Sequence, residues 1–215
     1  MIEPFLKSLV VKTKTKEVIK RYSESSCHEA DSDKAMWGSE ESMLSRFFLG
    51  LNIIDFSNIE DWLDVGCSTG RFFSSAEEKG FFVNRMVGVD FSSAIIKLAR
   101  EREFIGDVEF LVGSLESLPS SIGNFDLVSL VGVLQLCGFS PEKAILASVA
   151  KIKSGGQIFV TTKNLGWKAF KDPKIKPDKS HSWFYFDEIE DVFRRFGVKI
   201  ETFGGLETKG GSVVP

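Results

Sequence analysis

Three cysteines, two histidines, two tyrosines and six prolines are all that 215 residues contain of those types. Cys27, Cys67 and Cys137 stand far apart and are odd in number. They give no basis for a disulfide framework, and no pair has the C-x-x-C spacing of a structural zinc site. No metal is expected, and a reducing, cytoplasmic setting fits best. Positive charge is not in excess either: the net charge is −3, which is not the footprint of a dedicated nucleic-acid binder. Long hydrophobic runs are missing. The longest, Leu127 to Phe139, holds Ser129 and Gln135 and is too short to cross a bilayer. The first residues, with Glu3, Pro4 and then Lys7 to Lys20, lack the apolar centre of a signal peptide. No membrane role is expected, and no internal repeat is found.

What is present is an ordinary globular mixture, 43% hydrophobic and 27% charged, long enough for one domain with a substantial core. The 20 phenylalanines beside two tyrosines indicate packed strands and helices rather than a stacking platform. Residues 1–22 are basic and Ser23 to Asp33 is polar and turn-like. A helix is expected from Ser39 to Leu49, with Glu40 and Glu41 favouring its dipole and Met43, Leu44, Phe47 and Phe48 as an apolar stripe.

The most informative stretch runs from Asp61 to Asp90. A short apolar run, Trp62 to Val65, leads into Gly66-Cys67-Ser68-Thr69-Gly70. A helix over Arg71 to Lys79 and a second apolar run, Met86 to Val89, follow, ending at Asp90. That is one strand–turn–helix–strand unit. The glycines let the backbone turn sharply and approach a ligand closely, and an acid about 20 residues beyond the loop is where nucleotide-binding α/β proteins hold ribose hydroxyls. A pyrophosphate site needs G-x-G-x-x-G. Here Ser68 stands at the third position, and Asp64 at the loop's mouth would repel a pyrophosphate but attract an ammonium or sulfonium. The loop also reads G-x-S-x-G, a hydrolase elbow with Ser68 as nucleophile and His181 as base. That reading needs several strands upstream, whereas residues 1–60 look helical.

The remaining elements follow in order. Ser92 caps a helix through Arg102, and Val108 to Val112 is a third strand. Phe125 to Val131 is a fourth, near-continuously apolar as in a doubly covered parallel sheet. Ser140-Pro141 starts a helix that Gly155-Gly156 ends, feeding a fifth strand, Gln157 to Thr162. Residues 163–182, with six lysines, are irregular and leave the ligand-side end of that strand. Asp187 is the expected cap of a last helix, with Glu190 three residues on and Gly197 at its stop. Val198 to Phe203 is a sixth strand.

The loop resembles motif I of the class I S-adenosylmethionine-dependent methyltransferases: acid, any residue, then glycines at alternate positions. Asp64, Gly66, Ser68 and Gly70 fill those slots, with Ser68 in place of the middle glycine. The resemblance continues through VGVDFSSAIIKLA, VEFLVGSLESLP, FDLVSLVGVLQLC and KIKSGGQIFVTT, over roughly residues 60–205. It implies an α/β fold with a doubly wound, mostly parallel Rossmann-like sheet. The family's seventh strand would have only Leu206 to Pro215, so it is abbreviated or missing, or the chain stops before its natural end. The implied division is an N-terminal helical lid over 1–50 and a cofactor-binding domain over 51–215, with a substrate-side insertion at 163–185.

The resemblance also implies the cofactor, S-adenosylmethionine, and its contacts. Asp64 would hold the methionyl ammonium and Gly66 and Gly70 would let the loop pass beneath it. Cys67 and Ser68 would offer backbone groups to the carboxylate end. Asp90 would take the ribose hydroxyls, with Phe91 beside it. Ser114 and the Leu115 N–H would meet the adenine edge, and Val131 to Gln135 would face the reacting methyl. His181, in HSWFYF, is the better general-base candidate, and Gln135 the second catalytic candidate. His28, Tyr22 and Trp37 are candidates for lining a lid. The region after strand four lacks the D/N-P-P-Y/F signature of amino-directed DNA methylation. The expected partner is a small-molecule acceptor, and lysine-rich flanks point to an anionic one. The chain is expected to be a monomer or homodimer. An RNA methyltransferase and a non-catalytic cofactor-binding protein are the alternative readings.

Overall fold

The computed structural model describes residues 16–37, 39–136, 138–166, 168–176 and 181–200. Helices α1 (residues 16–25), α2 (Asp31–Lys34) and α3 (Glu40–Ile53) precede the sheet. Strands β1 (Asp61–Val65), β2 (Arg85–Asp90), β3 (Asp107–Val112), β4 (Phe125–Val131) and β5 (Ile152–Thr161) alternate with helices α4 (Arg71–Glu78), α5 (Ser93–Arg100) and α6 (Pro141–Val149). Helix α7 (Phe186–Arg195) comes last. The strands form one sheet in the order β3-β2-β1-β4-β5, and every pairing is parallel. This is the doubly wound Rossmann-like architecture. Strand order reverses between β1 and β4, so a crevice opens at their C-terminal ends.

Alternation along β1 divides the core between the two sheet faces. Trp62 points to one side and meets Phe72 and Phe73 of α4 edge-on, with centroids 4.9 and 4.8 Å apart. Phe47 of α3 stacks on Phe72 at 4.8 Å, and Met43, Phe47 and Leu51 are all buried there. Helix α3 is therefore part of this core. Leu63 and Val65 point the other way and join Val87, Val89, Phe125 and Val128 beneath α6 and α7. Phenylalanines pack on both faces, with Phe47, Phe72, Phe73, Phe110 and Phe159 buried on the first and Phe125 and Phe193 on the second.

Several local expectations shift. Helix α6 ends at Val149, and Gly155 and Gly156 lie inside β5 rather than ahead of it. Gly155 has φ +79°, and the β4–β5 register slips between Phe125 and Leu127. The glycine pair thus makes a bulge, which needs left-handed backbone. The cap of α7 is Tyr185, two residues before Asp187. Its N–H donates to Glu188 Oε2 at 2.7 Å, so Glu188 does the work expected of Glu190. Val198–Ile200 adopt no strand. The rest of the sixth strand and the whole of residues 206–215 lie outside the described residues. Residues 16–22 of the basic stretch are helical, and the turn-like stretch Ser23–Asp33 holds the end of α1 and most of α2. Ser39, Ser92 and Ser140 cap their helices as expected. No described helix is long and apolar enough to cross a membrane, and among the described residues no group of three His, Cys, Asp or Glu side chains could hold a metal.

Candidate functional site

At the crevice, β1 ends and the chain turns through the glycine loop. Gly66 N–H and Cys67 N–H both donate to Val89 O, at 2.7 and 3.2 Å, which binds the loop to the end of β2. Gly66 has φ +77°, and a Cβ there would run into Val133. Ser68 adopts the left-handed region at φ +49° without being glycine. Its strain has an evident compensation: Ser68 N–H donates to Asp90 Oδ2 at 3.1 Å, while Ser92 N–H donates to Asp90 Oδ1 at 2.9 Å. Ser68 Oγ is buried and has no hydrogen-bond partner.

Two carboxyls share this small volume. Asp64 and Asp90 are each 3% exposed. Burial pushes Asp64 up to about 7; Ser129 Oγ, donating at 2.6 Å, pulls back, and the Asp90 charge pushes further. Ser129 is itself oriented by the Trp62 indole N–H at 2.8 Å. Burial likewise raises Asp90 to about 6 against the opposing backbone N–H groups of Ser92 and Ser68. Cys67 is buried, and burial followed by both carboxylates holds its thiol well above the ordinary range. It is a packing group rather than a nucleophile.

A cavity of about 160 Å³ opens beside the loop. Gly66, Ser68, Asp90 and Phe91 form one wall, and Val131 to Val133, Gln135 and Leu136 form the floor. Tyr22, Ala35, Met36 and Trp37 roof it, and Lys163 and His181 close the far end. Five of the ten expected cofactor residues therefore face one space: Gly66, Ser68, Asp90, Phe91 and Val131. Gln135 and His181 face it too. Asp64, Cys67, Gly70, Ser114 and Leu115 do not line it. Gly70 caps α4, Leu115 is fully buried in the core, and exposed Ser114 accepts from Glu116 N–H at 3.2 Å. Of the lid candidates, Tyr22 and Trp37 reach the cavity, whereas His28 is exposed. Of the lysine-rich segment, Lys163 reaches it, while Lys168, Lys171, Lys174 and Lys176 are exposed.

Arg46 was not among the expected residues. It lies 6% exposed in α3 and lines the cavity. Its guanidinium sits 4.7 Å from the Trp37 ring centroid, and Nη1 has no hydrogen-bond partner. Burial alone lowers its pKa, to about 10. The sequence does hold a signal. Met43, Arg46, Phe47 and Gly50 follow the i, i+3, i+4, i+7 repeat of one helix face, and all four are buried. A cation in an apolar stripe is costly unless something neutralises it.

Charged and polar contacts through Asp31 help to tie the roof down. Asp31 accepts from Thr69 Oγ1 at 2.8 Å and pairs with Arg102 Nη2 at 2.6 Å, with Arg71 Nε 3.9 Å away. Arg102 Nε also donates to Thr69 O at 3.0 Å. Tyr22 meets Phe91 edge-on at 5.2 Å. Charge-assisted hydrogen bonds contribute about 1.5–3 kcal/mol each, so Asp31→Ala is expected to open residues 16–37 at least tenfold more often. Limited trypsin cleavage at Lys20, Arg21 and Lys34 would then be about tenfold faster; an unchanged rate would show that Asp31 does not hold the roof.

This geometry is a switch-point crevice with a glycine turn, a buried acid at the tip of β2 and a buried guanidinium with one nitrogen unpartnered. Residues 63–160 match a family model described as a methyltransferase domain. That stretch, a little under half of the chain, is similar to methyltransferase domains. Over 159 residues the chain is 26% identical to a ubiquinone biosynthesis O-methyltransferase from Acinetobacter baylyi, covering 67% of this chain and 65% of that protein. Over 111 residues it is 29% identical to one from Coxiella burnetii, covering 50% and 45%. The chain thus spans less than two thirds of the length of these relatives. A phosphoethanolamine N-methyltransferase from Haemonchus contortus, solved with phosphoethanolamine and S-adenosylhomocysteine, superposes with TM-score 0.66 at 13% identity, covering 85% of this chain and 40% of that one. The matched stretch runs from β1 into β5, so the glycine loop, Asp90 and Val131 fall inside it, while Arg46 and His181 lie outside.

Proposed function

We propose that this chain binds S-adenosylmethionine in the crevice between Asp64 and Asp90 and transfers its methyl group to a small-molecule acceptor. The observation that carries the reading is one cavity lined by both a buried cation, Arg46, and a buried acid, Asp90, beside the glycine turn. A zwitterionic nucleoside needs that pairing: an anion for the guanidinium and hydroxyl donors for the carboxylate. A phosphate-bearing nucleotide would set its charge against Asp90 and Asp64.

Asp90 accepts the ribose hydroxyls while its other contacts fix Ser68 and Ser92. Arg46 meets the α-carboxylate, assisted by Ser68 Oγ, which is otherwise unpartnered. Asp64, with one oxygen held by Ser129, draws the ammonium through water. Phe91 lies along the adenosine, Ser114 and the Leu115 N–H meet the adenine edge outside the present cavity, and Cys67 and Gly70 shape the loop. When bound, the cofactor supplies a methyl group on a positively charged sulfur. The protein aligns the acceptor with it, and orientation of this kind is worth up to roughly 7–11 kcal/mol. Val131 and Gln135 border that position, and His181 takes a proton from an acceptor that carries one.

The cavity's 160 Å³ is below the roughly 300 Å³ at which cofactor pockets begin. Residues 16–37 therefore swing out to admit the nucleoside and act as the lid, while α3 remains in the core. Residues 163–185 form the acceptor side. Their base is closed by the Asn164–Phe184 bridge and by Leu165 N–H donating to Phe184 O at 2.9 Å.

Calorimetry with S-adenosylhomocysteine tests the reading. The wild-type protein is expected to bind it, and Asp90→Ala to lose at least a hundredfold in affinity while keeping its far-ultraviolet circular dichroism, since a buried charged acceptor of several hydrogen bonds is removed. Affinity within threefold of wild type would overturn the assignment.

A further inference from the structure

We infer that the acceptor is a polar molecule whose reacting atom carries an O–H or N–H, and that Gln135 Oε1 receives that hydrogen bond. This rests on the methyltransferase reading above and adds the chemistry of the second substrate. Gln135 is 8% exposed, lines the cavity, and its Oε1 has no hydrogen-bond partner. A buried amide oxygen without a donor costs about 1–3 kcal/mol, so the site is complete only with a ligand that supplies one.

The side chain is placed by its own backbone. Gln135 O accepts from Ser182 N–H at 2.8 Å, and Leu136 pairs with His181 in an antiparallel bridge. The turn after β4 and the start of HSWFYF are thereby held side by side, with Gln135 and His181 on one cavity. Two further buried polar atoms at the base of the same loop lack partners, Thr162 Oγ1 and Trp183 Nε1. The Trp183 ring is fixed by Lys163 Nζ at 4.9 Å and Phe170 at 5.0 Å. An apolar acceptor would leave Gln135 Oε1 unsatisfied; a molecule with a donor satisfies it.

The step balances. A lone pair on the acceptor's oxygen or nitrogen forms the new bond to the methyl carbon, and the methyl–sulfur bond breaks with its electron pair staying on sulfur. The acceptor's proton, held by Gln135 Oε1 before reaction, passes to His181 as the bond to the methyl carbon forms. A hydrogen bond from O–H or N–H to Gln135 directs the lone pair towards the methyl and raises its electron density. Carbon acceptors offer no such donor and are disfavoured.

Ligand-observed NMR on protein saturated with S-adenosylhomocysteine decides this, using matched pairs of alcohols, phenols and primary amides with their O- or N-methylated counterparts. The unmethylated members are expected to bind at least fivefold more tightly. Gln135→Leu is expected to erase that preference, and Gln135→Glu, which keeps an acceptor oxygen, to retain it. Equal binding within pairs, no pair bound, or a preference untouched by Gln135→Leu would overturn the inference, as would loss of S-adenosylhomocysteine binding in Gln135→Leu. Failure of the wild-type protein to bind S-adenosylhomocysteine would instead remove the methyltransferase reading, so the two failures are distinct.

Discussion

Arg46→Met is expected to weaken S-adenosylhomocysteine binding by about a hundredfold while making the ligand-free protein more stable. The two effects have opposite signs because the guanidinium is buried without a counter-charge: 6% exposed, Nη1 unpartnered, and lowered to about 10 by burial. Replacing a buried ion pair with apolar side chains stabilises by roughly 1–4 kcal/mol, and a lone buried cation carries the same kind of desolvation cost. Loss of the desolvated cation–π contact with Trp37, about 2 kcal/mol, offsets a large part. A net gain near 1 kcal/mol raises the melting temperature by about 2–4 °C in a chain of this size. Removing one partner of a buried charge pair in a complex costs about 2–5 kcal/mol, which gives the affinity loss. Calorimetric titration and scanning calorimetry on the same variant check both. A lower melting temperature with unchanged affinity would make Arg46 a structural residue.

The second large effect is a stability that falls as pH rises from 5 to 8. Asp64 and Asp90 are raised to about 7 and about 6 in the folded protein, against about 3.9 for an unperturbed aspartate. A carboxyl whose folded pKa lies above its unfolded one contributes fully below about pH 4, and that contribution is lost as pH climbs through the folded value. At about 1.4 kcal/mol per tenfold change in proton affinity, the two together cost several kcal/mol by pH 8. Asp126, lowered by its Lys153 and backbone hydrogen bonds against opposing desolvation, acts in the opposite sense, but below pH 4. S-Adenosylhomocysteine, with its ammonium and ribose hydroxyls, favours the ionised carboxyls. Its affinity is therefore expected to rise by about tenfold or more between pH 5 and 7, and the melting temperature of the complex to fall less steeply than that of the free protein. A flat melting temperature between pH 5 and 8 would mean that water reaches the pair and that neither is raised.

Most of the fold was readable in sequence, because its determinants are local. The stretch from Asp61 to Asp90 carries strand, turn, helix and strand within thirty positions, and serine caps with apolar repeats mark α3, α5 and α6. Errors fell where tertiary contact overrides local pattern. Gly155-Gly156 looks like a helix stop, but pairing with β4 continues the strand through it as a bulge. Asp187 is a good cap in isolation, yet Tyr185 begins the helix because Glu188 can reach back to its N–H. Arg46 shares the helical spacing of Met43, Phe47 and Gly50, but only the packing of α3 brings it to the cavity.

The sequence by itself determined the parallel sheet, the glycine turn and the acid at the tip of β2, since each depends on residues within one supersecondary unit. Only the tertiary structure decided which distant groups share the crevice: Arg46 from α3, Tyr22 and Trp37 from the roof, Gln135 after β4, and His181 from the loop before α7. Their convergence depends on how helices and loops pack across the switch point, where chain separation carries no information about distance. Burial there also sets the charge balance, because Asp64, Asp90 and Arg46 have ordinary side chains whose properties change when water is removed.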